Sequence, residues 1–193
     1  MISTIRNTLS QWSSYKKDLK ATNKWKYYAL DLVETIIVAL VLALIIRKFV
    51  VQTSMVYSGS MIPTMMIGDR LFVNKFIYTF QTPKRGDIIL FKSPYKDGKE
   101  FVKRLVALPG ETVAIKKGIV FINGKEIAFP GVDVQRDYSY FGPEVVPADS
   151  YFALGDNRGN SADSRVWGYV PRQDLLGEAL FTFWPLNRMQ LLR

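Results

Sequence analysis

From Ile36 to Ile46 the chain carries no polar residue. The longer stretch around it, Ala29 to Val51, reads ALDLVETIIVALVLALIIRKFVV. A helix rises 1.5 Å per residue and the apolar core of a bilayer is about 30 Å thick, so a span needs about 20 residues. The pure run is too short alone. Extended through Leu30–Val33 and Phe49–Val51, it is long enough. Asp31 and Glu34 then lie near one interface, and Arg47 and Lys48 snorkel to the other. A helix apolar on all sides with basic flanks is not a soluble surface helix. The pattern predicts a transmembrane anchor helix over 29–51.

Beyond the anchor the period shortens. RLFVNKF (70–76), DIILF (87–91), FVKRLVA (101–107), TVAIK (112–116), IVFI (119–122), YFAL (151–154) and EALFTF (178–183) are rich in Val, Ile, Phe and Tyr, and Gly, Pro, Asp and Asn separate them. These read as strands. Asn123-Gly124, between IVFI and KEI, is a type I′ hairpin signal. The fold expected is mainly β: an N-terminal transmembrane helix followed by an antiparallel β-sheet domain. Residues 125–149 are less regularly patterned, with prolines beside glycines. The layout expected is a basic tail (1–28), the anchor (29–51) and an exported β domain (52–193) in which 111–149 form a β excursion or cap.

Net charge is +9, which raises the possibility of a nucleic-acid partner. Its distribution argues against one. Arg6, Lys16, Lys17, Lys20, Lys24 and Lys26 stand against Asp18 alone before the span, while only Arg47 and Lys48 follow closely. The positive-inside rule accounts for that asymmetry: tail in the cytoplasm, body outside, membrane lipid as the neighbour. The apolar stretch starts late, and Arg47-Lys48 follows it where a cleaved leader has small residues, so the anchor is expected to stay attached. The outer compartment, periplasm or exterior, stays open.

The 193 residues include no histidine and no cysteine. A Ser-His-Asp triad, a cysteine nucleophile, a disulfide scaffold and an imidazole or thiolate zinc site are all excluded. A metal would have to be held by carboxylates alone, and no cofactor or metal is expected. Ser60, in YSGSMIPT (57–64), sits in a setting suited to exposing a hydroxyl, and it needs a base other than histidine. A lysine serves only when neutral, which at pH 7 costs about 4.6 kcal/mol against its reference pKa of ~10.4. Burial among apolar groups supplies shifts of that size. Lys96, Lys99, Lys116 and Lys117 sit among turn or charged residues; Lys103 has Phe101, Val102, Leu105 and Val106 around it. Strand alternation equally allows it to face outward, and this stretch alone leaves both open. The S-x-x-K patterns SSYK (13–16) and SPYK (93–96) lack the S-D-N and K-T-G companions of penicillin-binding enzymes. GDNRGNSADSR (155–165) follows one apolar segment and precedes another. It reads either as a polar surface loop or as a loop ordered by internal Asp–Arg pairs.

Behind the anchor, SGSMIPTMMIGDRLFVNK, GDIILF, FVKRLVALPGE and GDNRGNSADSR come in this order, and together they resemble the motif boxes of type I signal peptidase (leader peptidase), the membrane serine proteases with a Ser-Lys dyad. The resemblance runs from about residue 29 to the C-terminus. It implies Ser60 as nucleophile, Lys103 as general base, and the Ser60 N–H with the Ser58 hydroxyl as oxyanion hole. It further implies that Ser161 orients the Lys103 amine, that Asp163 pairs with Arg165, and that Asp156 pairs with Arg104. Val56, Met61, Phe101 and Val102 would line shallow pockets for small side chains. The implied substrates are exported preproteins, cleaved after small residues. Tyr57 stands where the family often has proline and Glu111 where it often has aspartate; both bear on substrate preference. Two rivals remain: a self-cleaving Ser-Lys repressor peptidase, for which the tail lacks a DNA-binding domain, and a membrane-tethered, non-enzymatic β binding module.

Overall fold

The computed structural model describes residues 2–49, 51–132 and 137–192. These form two compact units, Met1–Lys48 and Phe49–Arg193. The first holds α1 (Ile2–Thr22) and α2 (Lys24–Phe49). Asn23 separates them, and its Oδ1 accepts the Lys26 N–H at 3.1 Å, as an N-cap asparagine does. Lys16 Nζ, on α1, donates to Asp31 at 2.7 Å and Glu34 at 2.5 Å on α2. The lysine of SSYK is thus occupied by carboxylates. Lys24–Ile45 of α2, 22 residues, is the one helix among the described residues long and apolar enough to cross a membrane. The helix begins before Ala29 and ends at Phe49, because Val51 already pairs with Asn74 as a strand. The side chains of Arg47 and Lys48, expected to snorkel, lie outside those described.

The second unit is mainly antiparallel β. Its strands are β1 (Val51–Met55), β2 (Arg70–Asn74), β3 (Ile88–Lys92), β4 (Glu100–Ala107), β5 (Thr112–Lys116), β6 (Ile119–Ile122), β7 (Lys125–Ile127), β8 (Tyr140–Val145), β9 (Ser150–Leu154), β10 (Val170–Pro171), β11 (Leu175–Trp184) and β12 (Gln190–Leu191). One-turn helices α3 (Ile77–Phe80) and α4 (Ser164–Trp167) interrupt them. The large sheet runs β1-β2-β11-β3-β4-β9-β10, with β12 on β11; the small one runs β7-β6-β5-β8. All seven sequence-predicted strands are present. The hairpin forms at Asn123-Gly124, both at positive φ (51° and 78°), as a type I′ turn requires. The weakly patterned 125–149 stretch supplies β7 and β8 of the small sheet.

Three apolar clusters make the core. Met61, Met65, Leu71, Val73, Ile88 and Leu90 fill one side of the large sheet. Ile89, Phe91, Leu105 and Ala153 fill a second cluster, and Val113, Ile115, Phe152 and Leu154 join the two sheets. Met61, next to Ser60, is only 1 % exposed, so the turn carrying Ser60 is nailed to the core by its neighbour.

Candidate active site

Ser60 lies in a short 3-10 turn, Gly59–Met61, after β1. Lys103 projects from β4, opposite Ile89 of β3. The fold brings them together: Lys103 Nζ donates to Ser60 Oγ at 2.5 Å. Both are buried, Ser60 8 % and Lys103 4 % exposed. The open question about Lys103 is settled in favour of the interior. Burial pushes its pKa from 10.5 down to about 8; Asp163 and Asp156 pull it back up, and Arg165 pushes it down. The ring of Phe101 lies 5.9 Å from Nζ. Among the described residues Lys103 has no carboxylate partner.

The reason is that the nearby carboxylates are taken. Asp156, fully buried, receives Arg104 Nε at 2.8 Å and Nη2 at 2.7 Å, and Thr64 Oγ1 at 2.5 Å. Asp163, also fully buried, receives Arg165 Nε and Nη2, each at 2.8 Å. Its carboxylate also accepts the N–H groups of Arg165 (3.3 Å) and Gly155 (3.1 Å). Bidentate guanidinium–carboxylate pairs of this kind fix geometry as well as charge. The polar loop 155–165 is therefore an ordered scaffold.

Ser58 Oγ is 3.2 Å from Ser60 Oγ. Ser161 makes no hydrogen bond to Lys103 here: among the described residues its buried Oγ has no partner, and Lys103 Nζ donates to Ser60. Ser161 nevertheless sits close. A Cβ added to Gly155 would lie 2.2 Å from Ser161 Oγ and 2.5 Å from the Ser60 carbonyl oxygen. Only a glycine at 155 lets these two segments meet.

A cleft of about 920 Å³ opens beside Ser60 and Lys103, and Val56, Met61, Phe101 and Val102 all line it. Tyr57 stands in its wall, 78 % exposed. Glu111 does not reach it: its carboxylate accepts Arg85 Nη2 at 2.5 Å and the Leu108 N–H at 2.7 Å, holding a turn elsewhere.

Several residues escaped the sequence reading. Asp137 and Ser139, beside the small sheet, take Arg165 Nη1 at 2.8 and 3.0 Å and tie that lobe to the loop. Thr64 locks the segment after Ser60 onto Asp156. Asn157 bonds the Ser60 turn directly, its N–H donating to the Ser60 carbonyl at 3.0 Å and its Nδ2 to the Gly59 carbonyl at 3.0 Å. Spacing carries no signal for Asp137 or Thr64; Asn157 was visible only as part of the loop.

Comparison with known proteins gives this arrangement its context. The family described as signal peptidase, peptidase S26, matches residues 29–184. A signal peptidase I of Leptolyngbya laminosa is 47% identical over 165 residues, 81% of this chain and 80% of that protein. A probable signal peptidase I-2 of Synechocystis sp. is 41% identical over 187 residues, 93% of this chain and 83% of that one. A solved signal peptidase I of Enterococcus faecalis is 35% identical with a TM-score of 0.44, covering 51% of this chain and 97% of that one. With a family match over most of its length and relatives this similar, the chain belongs to the signal peptidases of the peptidase S26 family.

Proposed function

We propose that this protein is a membrane-anchored serine endopeptidase that removes signal peptides from exported preproteins through an acyl-enzyme on Ser60. The observation that carries the reading is the 2.5 Å contact between Ser60 Oγ and a buried lysine whose pKa is lowered to about 8. Once neutral, the Lys103 amine accepts the Ser60 hydroxyl proton as Oγ attacks the scissile carbonyl. The tetrahedral oxyanion takes hydrogen bonds from the Ser60 N–H and the Ser58 hydroxyl. Lys103 then hands its proton to the leaving amine, and a water deprotonated by Lys103 releases the acyl group. No step of this sequence calls for a metal or cofactor.

Ser161, whose hydroxyl has no partner among the described residues, is assigned to orient the Lys103 amine when it turns from Ser60. Asp163–Arg165 and Asp156–Arg104 hold the frame. Two strand edges that are unpaired among the described residues flank the cleft and support an extended substrate. β1 ends the large sheet, and Phe101–Lys103 of β4 pair with β3 on one side only, since pairing with β9 starts at Arg104. A peptide laid between them gains backbone hydrogen bonds, while Val56, Met61, Phe101 and Val102 meet alternate side chains. The apolar span Lys24–Ile45 supports the anchor, and the basic tail before it supports a cytoplasmic N-terminus, with the body on the outer face and lipid, not nucleic acid, as neighbour. A tethered binding module has no use for a buried lysine of lowered pKa held against a serine.

Incubating the purified full chain with a preprotein, and weighing the products by mass spectrometry, tests the reading. One cut after a small residue at the end of the leader is expected, absent in Ser60→Ala and Lys103→Ala. Unchanged cutting by either variant overturns the dyad.

A further inference from the structure

The cavities, charged clusters and exposed faces outside the cleft point to no ligand as directly as Asn157 points to the reaction. We propose that Asn157 is a positioning residue that aims the oxyanion-binding N–H of Ser60. This rests on the reading of Ser60 as nucleophile with its own N–H as an oxyanion donor.

The geometry is that of a planar trans peptide, in which the carbonyl oxygen and the following N–H point in opposite directions. Gly59 C=O and Ser60 N–H belong to one such unit. Asn157 Nδ2 holds that carbonyl oxygen at 3.0 Å from one side, which turns the Ser60 N–H to the other. The Asn157 N–H holds the next carbonyl, that of Ser60, also at 3.0 Å. Two successive peptides of the nucleophile turn are thus pinned by one residue 98 positions further along the chain.

Asn157 gives up its ordinary role to do this. It is the N-cap of the short 3-10 turn Arg158–Asn160, yet its side chain makes no capping bond there. Asparagine at an N-cap usually accepts a hydrogen bond from its own helix; here the amide nitrogen serves as a donor to a distant carbonyl. The pin is itself anchored. The Gly155 N–H donates to Asp163 at 3.1 Å, Arg158 Nε to the Gly155 carbonyl at 3.0 Å, and the Asn160 N–H to the Asn157 carbonyl at 3.0 Å. The arginine–carboxylate scaffold around Asp163 therefore reaches the oxyanion donor through Asn157.

Losing one oxyanion donor outright costs about 10²–10³ in kcat. Losing its aim is expected to cost part of that, about 10–100-fold. The test uses the full chain in detergent, with Asn157→Ala and the isosteric Asn157→Asp, which keeps the shape but removes the donor; the second serves if the first fails to fold. The expected result is a kcat drop of that size with KM within about two-fold. For Asn157→Ala the rising limb of the pH profile stays in place, because Asp163, Asp156 and Arg165, the charges acting on Lys103, are untouched.

A peptide aldehyde gives the readout that a general loosening would not. Ser60 Oγ adds to the aldehyde carbon, the carbonyl π bond breaks, and the serine proton passes to Lys103, leaving a tetrahedral oxyanion on the donors. Its affinity should fall by the same factor as kcat/KM, while a cleaved product peptide, which forms no tetrahedral adduct, binds as before. Equal losses for aldehyde and product peptide, a change in KM alone, or an unchanged kcat each overturn the inference. Cleavage surviving in Ser60→Ala would instead overturn the reading beneath it; a dead Ser60→Ala beside fully active Asn157 variants sinks only the role of Asn157.

Discussion

Lys103 and Arg104 are neighbours on β4, and both carry a cation into the interior, 4 % and 2 % exposed. Their surroundings differ in kind. Successive strand residues face opposite ways. Lys103 lies opposite Ile89, and Arg104 opposite Ile88, and these two isoleucines belong to different core clusters. Arg104 meets a buried carboxylate with two parallel hydrogen bonds and gives its remaining nitrogen to the Gly86 carbonyl at 2.9 Å. Among the described residues the one hydrogen bond of Lys103 Nζ goes to a hydroxyl. The comparison teaches how a fold without histidine lowers the pKa of a lysine: arginines occupy Asp156 and Asp163, so among the described residues the buried lysine has no carboxylate bonded to it, and burial outweighs the pull of those two charges. Arginine suits the first role because it stays protonated and forks onto a carboxylate; lysine suits the second because burial can neutralise it.

The largest effect should come from removing the unpaired member. Lys103→Met keeps the volume and deletes the amine. Cleavage is expected to fall at least 10³–10⁴-fold, and adding Ser60→Ala should cost little more if the two are the proposed nucleophile and base, which act as a unit. Stability should move the other way. The folded pKa, about 8, lies below the unfolded 10.5, so between those values the unfolded chain binds more protons and stability rises with pH. Below pH 8 the fold carries the whole cost of a buried ammonium, about 3 kcal/mol. Thermal unfolding from pH 6 to 11 should show Lys103→Met more stable than the parent at pH 7, with the gap closing toward pH 10.5. A variant less stable throughout would mean that Lys103 is not strained by its burial.

The paired member should respond oppositely. Asp156→Asn leaves Arg104 buried without its counter-charge, a loss of about 3–5 kcal/mol in urea unfolding. Replacing both partners by apolar residues, Arg104→Met with Asp156→Leu, should recover much of it, because the desolvation cost leaves with the charges. A double variant as unstable as the single one would show that the hydrogen bonds to Gly86 and Thr64, not the charge, hold this corner.

Gly155→Ala tests how closely the two sides must approach. Its methyl would meet Ser161 Oγ at 2.2 Å and the Ser60 carbonyl at 2.5 Å, the second a backbone atom that cannot swing aside. Overpacking of this sort costs about 1–3 kcal/mol. Displacing the nucleophile should cost more in turnover, about 10²-fold, measured as kcat at saturating preprotein. Unchanged kcat would mean that the Ser60 turn has slack.

What could be read in the sequence follows the same division. Strands announced themselves through Val, Ile and Phe between turn residues, and Asn123-Gly124 through the positive φ its turn demands. β8 did not, because Tyr140–Val145 is mostly exposed and contains Gly142 and Pro143, so it shows no alternation. The start of β1 was absorbed into the anchor because Val51 continues an apolar run. Lys103 stood out as a lysine in an apolar strand, yet only the fold could say which way it points. Asp137 sends its carboxylate across to Arg165 from 28 positions away, a contact that no local pattern records.

The smallest effect is the most specific to the unpaired lysine. Asp163 is the strongest of the groups that raise the Lys103 pKa against burial. Asp163→Asn removes that charge. Arg165 still has Asp137 at 2.8 Å, Ser139 at 3.0 Å and the Arg158 carbonyl at 2.8 Å, so it should stay in place and keep pushing the Lys103 pKa down. The rising limb of kcat/KM against pH should therefore move to lower pH, with a few-fold drop at the plateau as the Gly155 N–H loses a charged acceptor. Val102→Asp, in the wall of the cleft, adds a carboxylate beside the ammonium and should move the same limb to higher pH. The two variants change the local charge by equal and opposite amounts, so a general loss of structure cannot imitate both shifts. A limb that stays still in both would mean that the group titrating in catalysis is not Lys103.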